Sequence, residues 1–187
     1  MLCQEKIDER HGLEQGAVTQ LVSVLSEREP SLHFEFIELL DPPMPDARCK
    51  ANAADVFVEV THIYGTDADA RYMLGRQGKA EPTKRERLES SRISLRYRYL
   101  APLNERLSIK ASKTYPISPV WLLIRNGLSL WTETDFWEHA SDIVVPATHP
   151  FQRILFLCGP RDWFGMIELT KWHSKEGELT SGRRQLT

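Results

Sequence analysis

Pro45-Asp46-Ala47-Arg48-Cys49-Lys50-Ala51-Asn52-Ala53-Ala54-Asp55-Val56-Phe57-Val58-Glu59-Val60-Thr61-His62-Ile63 is the stretch on which the reading of the chain turns. Residues 55–64 alternate as a strand. Val56, Val58 and Val60 fall on one face, and Phe57, Glu59, Thr61 and Ile63 on the other. Apolar residues on both faces predict a central strand covered on both sides. Residues 46–50 predict a shorter strand, with 51–54 as the turn between the two. Such a hairpin carries Asp46 towards Glu59. A carboxylate set among valines is costly to bury without a partner. Glu59 is therefore the first residue to explain, and Asp46 the first to explain it with.

Outward from this hairpin the pattern is mixed. Residues 4–28 predict a helix with an apolar stripe of Ile7, Leu13, Ala17, Leu21, Val24 and Leu25. Residues 32–40 predict a strand whose alternation slips around Ile37, ended by Asp41-Pro42-Pro43. Residues 65–83 predict a loop. Helices are expected over 84–99 and, after Pro102, over 102–113, with Leu103, Leu107 and Ile109 on the apolar side. Strands at 120–124, 153–158 and 164–169 and a short helix at 134–140 complete the order. Hairpin-paired strands followed by strands joined through helices predict an α/β fold, a mixed central sheet flanked by helices. One domain over 1–172 and a polar tail over 173–187 are expected.

The 187 residues carry 41% hydrophobic and 27% charged side chains, an ordinary globular composition. No apolar run approaches the ~18 residues of a membrane span. The N-terminal residues lack the apolar core of a signal peptide, so a cytoplasmic location and no membrane partner are expected. Three cysteines, Cys3, Cys49 and Cys158, show no CxxC spacing, and six histidines show no HxxH or HExxH pattern. Neither a disulfide framework nor a histidine-built zinc site is indicated. No P-loop, GxGxxG or GxSxG motif occurs. Net charge is −2, yet residues 71–113 hold twelve Lys/Arg against four Asp/Glu. Charge alone leaves two readings of that block, a phosphate-facing surface or a solvated helix laced with i,i+4 pairs.

Two carboxylates held a few ångströms apart repel unless a cation lies between them. Hard oxygen donors suit Mg²⁺ or Mn²⁺, which polarise water and phosphoryl oxygens. On spacing alone, a metal pair and an edge-facing strand Glu beside a common Pro-Asp turn remain alternatives. Among the other polar residues, Asp55 reads as a surface or turn residue. His62 reads as a core or helix-contacting residue, and Tyr115 as packing, with stacking or hydrogen bonding near the pair as its alternative. Trp121, Trp131, Trp137 and Trp172 read as core or satellite packing. Arg161 and Trp163 fit either a nucleic-acid contact or a hydrophobic end.

Pro45-Asp46 followed by Val58-Glu59-Val60-Thr61 resembles the core of the PD-(D/E)xK nuclease superfamily, the restriction-endonuclease-like fold. The element order is similar to its α-β-β-β-α-β core, here with a C-terminal β extension. Ile109-Lys110-Ala111-Ser112-Lys113-Thr114-Tyr115 before Val-Trp-Leu-Leu-Ile resembles a subgroup with Glu-x-Thr as third motif and a K-x-x-K-Y helix. Pro150-Phe151-Gln152-Arg153-Ile154 is similar to the start of that subgroup's later strand. The likeness spans roughly residues 10–170.

The resemblance implies a metal-dependent nuclease acting on DNA or RNA. Asp46, Glu59 and the Val60 carbonyl would hold Mg²⁺ or Mn²⁺. Thr61 stands where the superfamily usually has lysine. The resemblance offers Lys110, or Lys113 one turn on, as the replacement cation. Glu14 on the first helix, or else Glu9, would reach towards the metal. Double-strand cleavage with one site per chain would call for a homodimer or a protein partner. The competing expectation, marked by Thr61, is a catalytically inactive module on the same fold that binds nucleic acid or a protein.

Overall fold

A computed structural model of the protein describes residues 2–64, 95–127, 133–158 and 165–170. The expected loop at 65–83, most of the helix at 84–99, the tail, and the residues Trp131, Arg161, Trp163 and Trp172 lie outside these.

The chain begins with α1 (Leu2–Arg28). Ala17, Val18, Leu21, Val24 and Leu25 recur at three- and four-residue steps and are all buried. Then come β1 (Phe34–Leu39), β2 (Ala47–Ala51) and β3 (Ala54–Ile63), each antiparallel to its neighbour. The break in alternation at Ile37 is a bulge. Phe36 pairs with Cys49 and Glu38 with Arg48, which leaves Ile37 unpaired and exposed.

The turn joining β2 to β3 has φ 51° at Asn52 and 68° at Ala53. Positive φ at both central residues is the backbone that matches strand twist in a two-residue hairpin. Asn52 accepts a hydrogen bond from the His33 amide through Oδ1 at 2.9 Å, and its own amide donates to His33 O at 2.8 Å. The residue preceding β1 thus braces the turn.

Next is α2 (Leu95–Ala111), where the sequence suggests two helices meeting at Pro102. The proline lies inside one continuous helix. A proline there forgoes a backbone bond and crowds the preceding turn. Leu100, Leu103 and Leu107, buried on both sides of it, offset that cost. The same stripe corrects the expected apolar side. One turn beyond Leu107 the inward position is Lys110, while Ile109 is exposed.

β4 (Val120–Asn126) runs parallel to β3, and β5 (Phe151–Cys158) parallel to β4. Between them lie α3 (Glu133–Glu138) and a 3-10 turn (Ala140–Asp142). Trp137 on α3 is exposed, against the expectation of packing, whereas Trp121 is buried and stacked on Phe34. β6 (Gly165–Glu168) closes the sheet antiparallel to β5. Strand order is β1-β2-β3-β4-β5-β6.

The sheet divides two cores. One gathers the α1 stripe with Val56, Val58, Val60, Leu123 and Leu155. The other gathers Leu103 and Leu107 of α2 with Phe57, Leu122, Ile124 and Phe156. The fold is therefore a mixed α/β architecture with a central sheet flanked by helices. β3 is central and parallel to β4, and its two faces look at different helices.

Candidate active site

Alternation along β3 puts Glu59 and Thr61 on the α2 side. Both are buried, Glu59 only 4% exposed. The stripe of α2 places Lys110 on the same side, and three residues on Lys113 follows it. Lys110 Nζ donates to Glu59 Oε1 at 2.6 Å, and Lys113 Nζ donates to the same oxygen at 2.9 Å. Lys110 also lies 3.4 Å from the Val60 carbonyl oxygen. Two ammonium groups thus converge on one buried carboxylate, and Thr61, on the same face of β3, contributes no charge.

Asp46 immediately precedes β2, one step beyond the Ala47–Val58 pair. Its Oδ2 accepts the Val60 amide at 2.8 Å. That bond fixes Asp46 against the strand segment that carries Glu59. Burial and the Glu59 charge raise the Asp46 pKa, against the opposing pull of the Val60 amide and Lys110.

Glu14 comes to the same place from α1. It lies on the buried stripe and is 6% exposed. Burial and the neighbouring Asp46 charge push its pKa up to about 8, with Arg10 pulling the other way. Arg10 Nε reaches Glu14 Oε1 at 3.0 Å. Glu14 Oε2 is buried and finds no donor. The Asp46 carboxyl is beside it, but two carboxylates offer only acceptors. Only a shared proton or a cation satisfies such a contact. The Glu9 side chain lies outside the described residues.

Tyr115 follows α2. Its ring packs on Phe151 at 5.7 Å between centroids. Its hydroxyl is buried without a hydrogen bond of good geometry, and burial followed by the Glu59 charge raises its pKa. Burial pulls the Lys113 ammonium down, but its bond to Glu59 more than offsets this and its pKa is raised. Lys113 is therefore a cation throughout the neutral range.

Three expected residues from separate parts of the chain, Glu14, Asp46 and Glu59, are neighbours here, and both lysines bond to Glu59. Asp55 stands apart, exposed and paired with Arg48 at 3.3 Å. His62 faces away from Glu59 with Nε2 buried and unpartnered, its ring stacked on Tyr64. Burial and the Arg125 charge lower its pKa to about 4. Two features escaped sequence reading. The Arg10–Glu14 pair was visible as an i,i+4 spacing. The carboxyl–carboxyl contact of Glu14 with Asp46 carries no local signal.

Among the described residues, no three His, Cys, Asp or Glu side chains stand close enough to enclose a metal ion by themselves. A Mg²⁺ site asks for less, one or two carboxylates completed by water and a substrate oxygen. The Glu14 oxygen without a donor lies beside Asp46, and the Glu59 charge acts on both carboxyls. Lys110 meanwhile touches Glu59 Oε1 and approaches Val60 O, two of the ligands the resemblance assigns to the cation. The chain has no significant match among models of known protein families, curated proteins or solved structures.

Proposed function

We propose that the protein is a metal-dependent nuclease with a restriction-endonuclease-like fold. The observation that carries this reading is the pairing of Lys110 and Lys113 with Glu59. Thr61 brings no charge where the superfamily usually places lysine, and α2 brings two ammonium groups to the same carboxylate. An inactive module would have no need to bury Glu14 and Glu59 beside Asp46.

Asp46, Glu59 and the Val60 carbonyl would hold Mg²⁺ or Mn²⁺, with Glu14 behind Asp46. When bound, the ion lowers the pKa of its water and steadies negative charge on a phosphoryl oxygen. The chain's own groups do the rest. Asp46, held by the Val60 amide, keeps one oxygen fixed in place. Glu59 orients both ammonium groups. Lys110, on the buried side, donates to the oxyanion that develops as phosphorus becomes five-coordinate. Lys113, more exposed, neutralises the incoming phosphate. Tyr115 places a hydroxyl donor at the edge of the same space.

The test is cleavage of plasmid, single-stranded DNA and RNA with Mg²⁺ or Mn²⁺, comparing wild type, Asp46→Asn and Lys110→Met. Metal-dependent cleavage lost in both variants, with the melting transition retained, is the expected result. Cleavage that is equal in all three proteins would refute the assignment. Oligonucleotide binding with no turnover in wild type would favour the inactive-module alternative.

A further inference from the structure

Beyond the carboxylate cluster, an open cleft of about 500 Å³ lies against the C-terminal end of α2 and the segment leading into β5. Pockets of ~300–1,000 Å³ hold small molecules, so one nucleotide fits this space. Its walls include Ser112, Lys113, Thr114, Thr148 and His149, and none of its lining residues is a carboxylate. A cation and three hydroxyls, with no carboxylate in the wall itself, make a lining complementary to phosphate.

Two observations join the cleft to the candidate active site. Lys113 belongs to both, with its Nζ on Glu59 and its side chain in the cleft wall. A run of rings also connects them. Tyr115, beside Glu59, packs on Phe151, and Phe151 stacks on His149 at 6.0 Å and 24°. His149 Nδ1 is buried without a partner, an unsatisfied group in the wall. Buried polar groups are rarely left so unless something else meets them.

We infer that this cleft binds the nucleotide adjacent to the scissile phosphate, with its phosphate on Lys113 and the Thr114 and Thr148 hydroxyls and His149 against its sugar or base. The inference rests on the nuclease reading and adds to it where the strand runs on leaving the carboxylates. It directs the strand off the end of α2 rather than along the helix.

The experiment measures equilibrium binding of a short fluorescent single-stranded oligonucleotide by anisotropy, with chelator present so that no cleavage occurs. The variants are Thr148→Glu, at an exposed cleft position, and His149→Ala. The control is Thr19→Glu, the same change at an exposed position on α1, across the sheet. Thr148→Glu should weaken binding about tenfold and flatten the salt dependence, because the added carboxylate offsets one phosphate-neutralising cation. His149→Ala should weaken it several-fold and leave the salt dependence unchanged. Thr19→Glu should leave both as in wild type. Equal effects of Thr148→Glu and Thr19→Glu overturn the inference, and so does a wild type that binds no oligonucleotide. The nuclease reading fails separately, through metal-dependent cleavage that Asp46→Asn does not change.

Discussion

Two ion-pair clusters in this molecule both set basic side chains against glutamates, and they solve opposite problems. At one, Arg153 donates to Glu29 at 2.7 and 3.1 Å and to Glu168 at 2.6 and 3.2 Å, with its guanidinium 4.9 Å from the centre of the Trp121 ring. One cation meets two carboxylates in fork geometry, and α1, β5 and β6 are tied together. Such satisfied networks fix structure. At the other, one oxygen of Glu59 takes two ammonium groups, while one Glu14 oxygen faces the Asp46 carboxyl and the Tyr115 hydroxyl makes no hydrogen bond of good geometry. A network left incomplete at buried atoms is a candidate for work on something not in the chain. The difference lies in how far each cluster closes on itself, and not in the amount of charge.

Substitutions can break that contrast. On the nuclease reading, Asp46→Asn should cost cleavage at least ~10³-fold, because it would remove a donor to the proposed cation but keep the shape and the Val60 bond. Single-turnover assays at saturating Mn²⁺ read this. Lys110→Met should lower turnover ~10²–10³-fold, the scale of one transition-state donor. It should also tighten Mn²⁺ binding, since an ammonium no longer competes for Glu59 Oε1; titration calorimetry with the metal alone tests that half. Unchanged affinity would mean that Lys110 and the ion do not share Glu59. Arg153→Met should do the reverse of both, lowering stability by ~1–3 kcal/mol in denaturant melts, a loss reduced by the partial exposure of its partners, while cleavage per folded molecule stays the same.

The smallest expected effect is in pH. Glu14 has a folded pKa of about 8 against 4.5 unfolded. Below 4.5 both states hold the proton. Between the two values the unfolded state has lost it and the folded state has not, so stability falls as pH rises through the folded value. Glu14→Gln should flatten a melting-temperature profile between about pH 4.5 and 8 by a few degrees. A profile unchanged by Glu14→Gln would place the shared proton elsewhere.

Much of this was legible in the chain. β3 announced itself by alternation, and the hairpin brought Asp46 to Glu59 because a two-residue turn leaves little freedom. The slip at Ile37 is a real bulge. Lys110 was reachable from the helix period once Leu103 and Leu107 were taken as the inward stripe, although Ile109 misled by being apolar and exposed. Local rules suggested a helix start at Pro102, because a proline fits the first turn. Burial of leucines on both sides overrode that preference, and no local rule weighs tertiary packing. The Arg153 fork and the cleft at His149 each join segments that are distant in sequence, and no spacing encodes them.

The turn at Asn52 and Ala53 sets the length of a ruler. Strand side chains swap faces at every residue, so a slip of a single position in the β2–β3 register turns Glu59's neighbours towards the wrong helix. One residue inserted there could leave a folded sheet with its carboxylates out of step. Ala53, at φ 68°, is a position where glycine would relieve backbone strain. The tolerance of this chain to change is thus uneven. Ala53 can change in kind, but the turn cannot change in number.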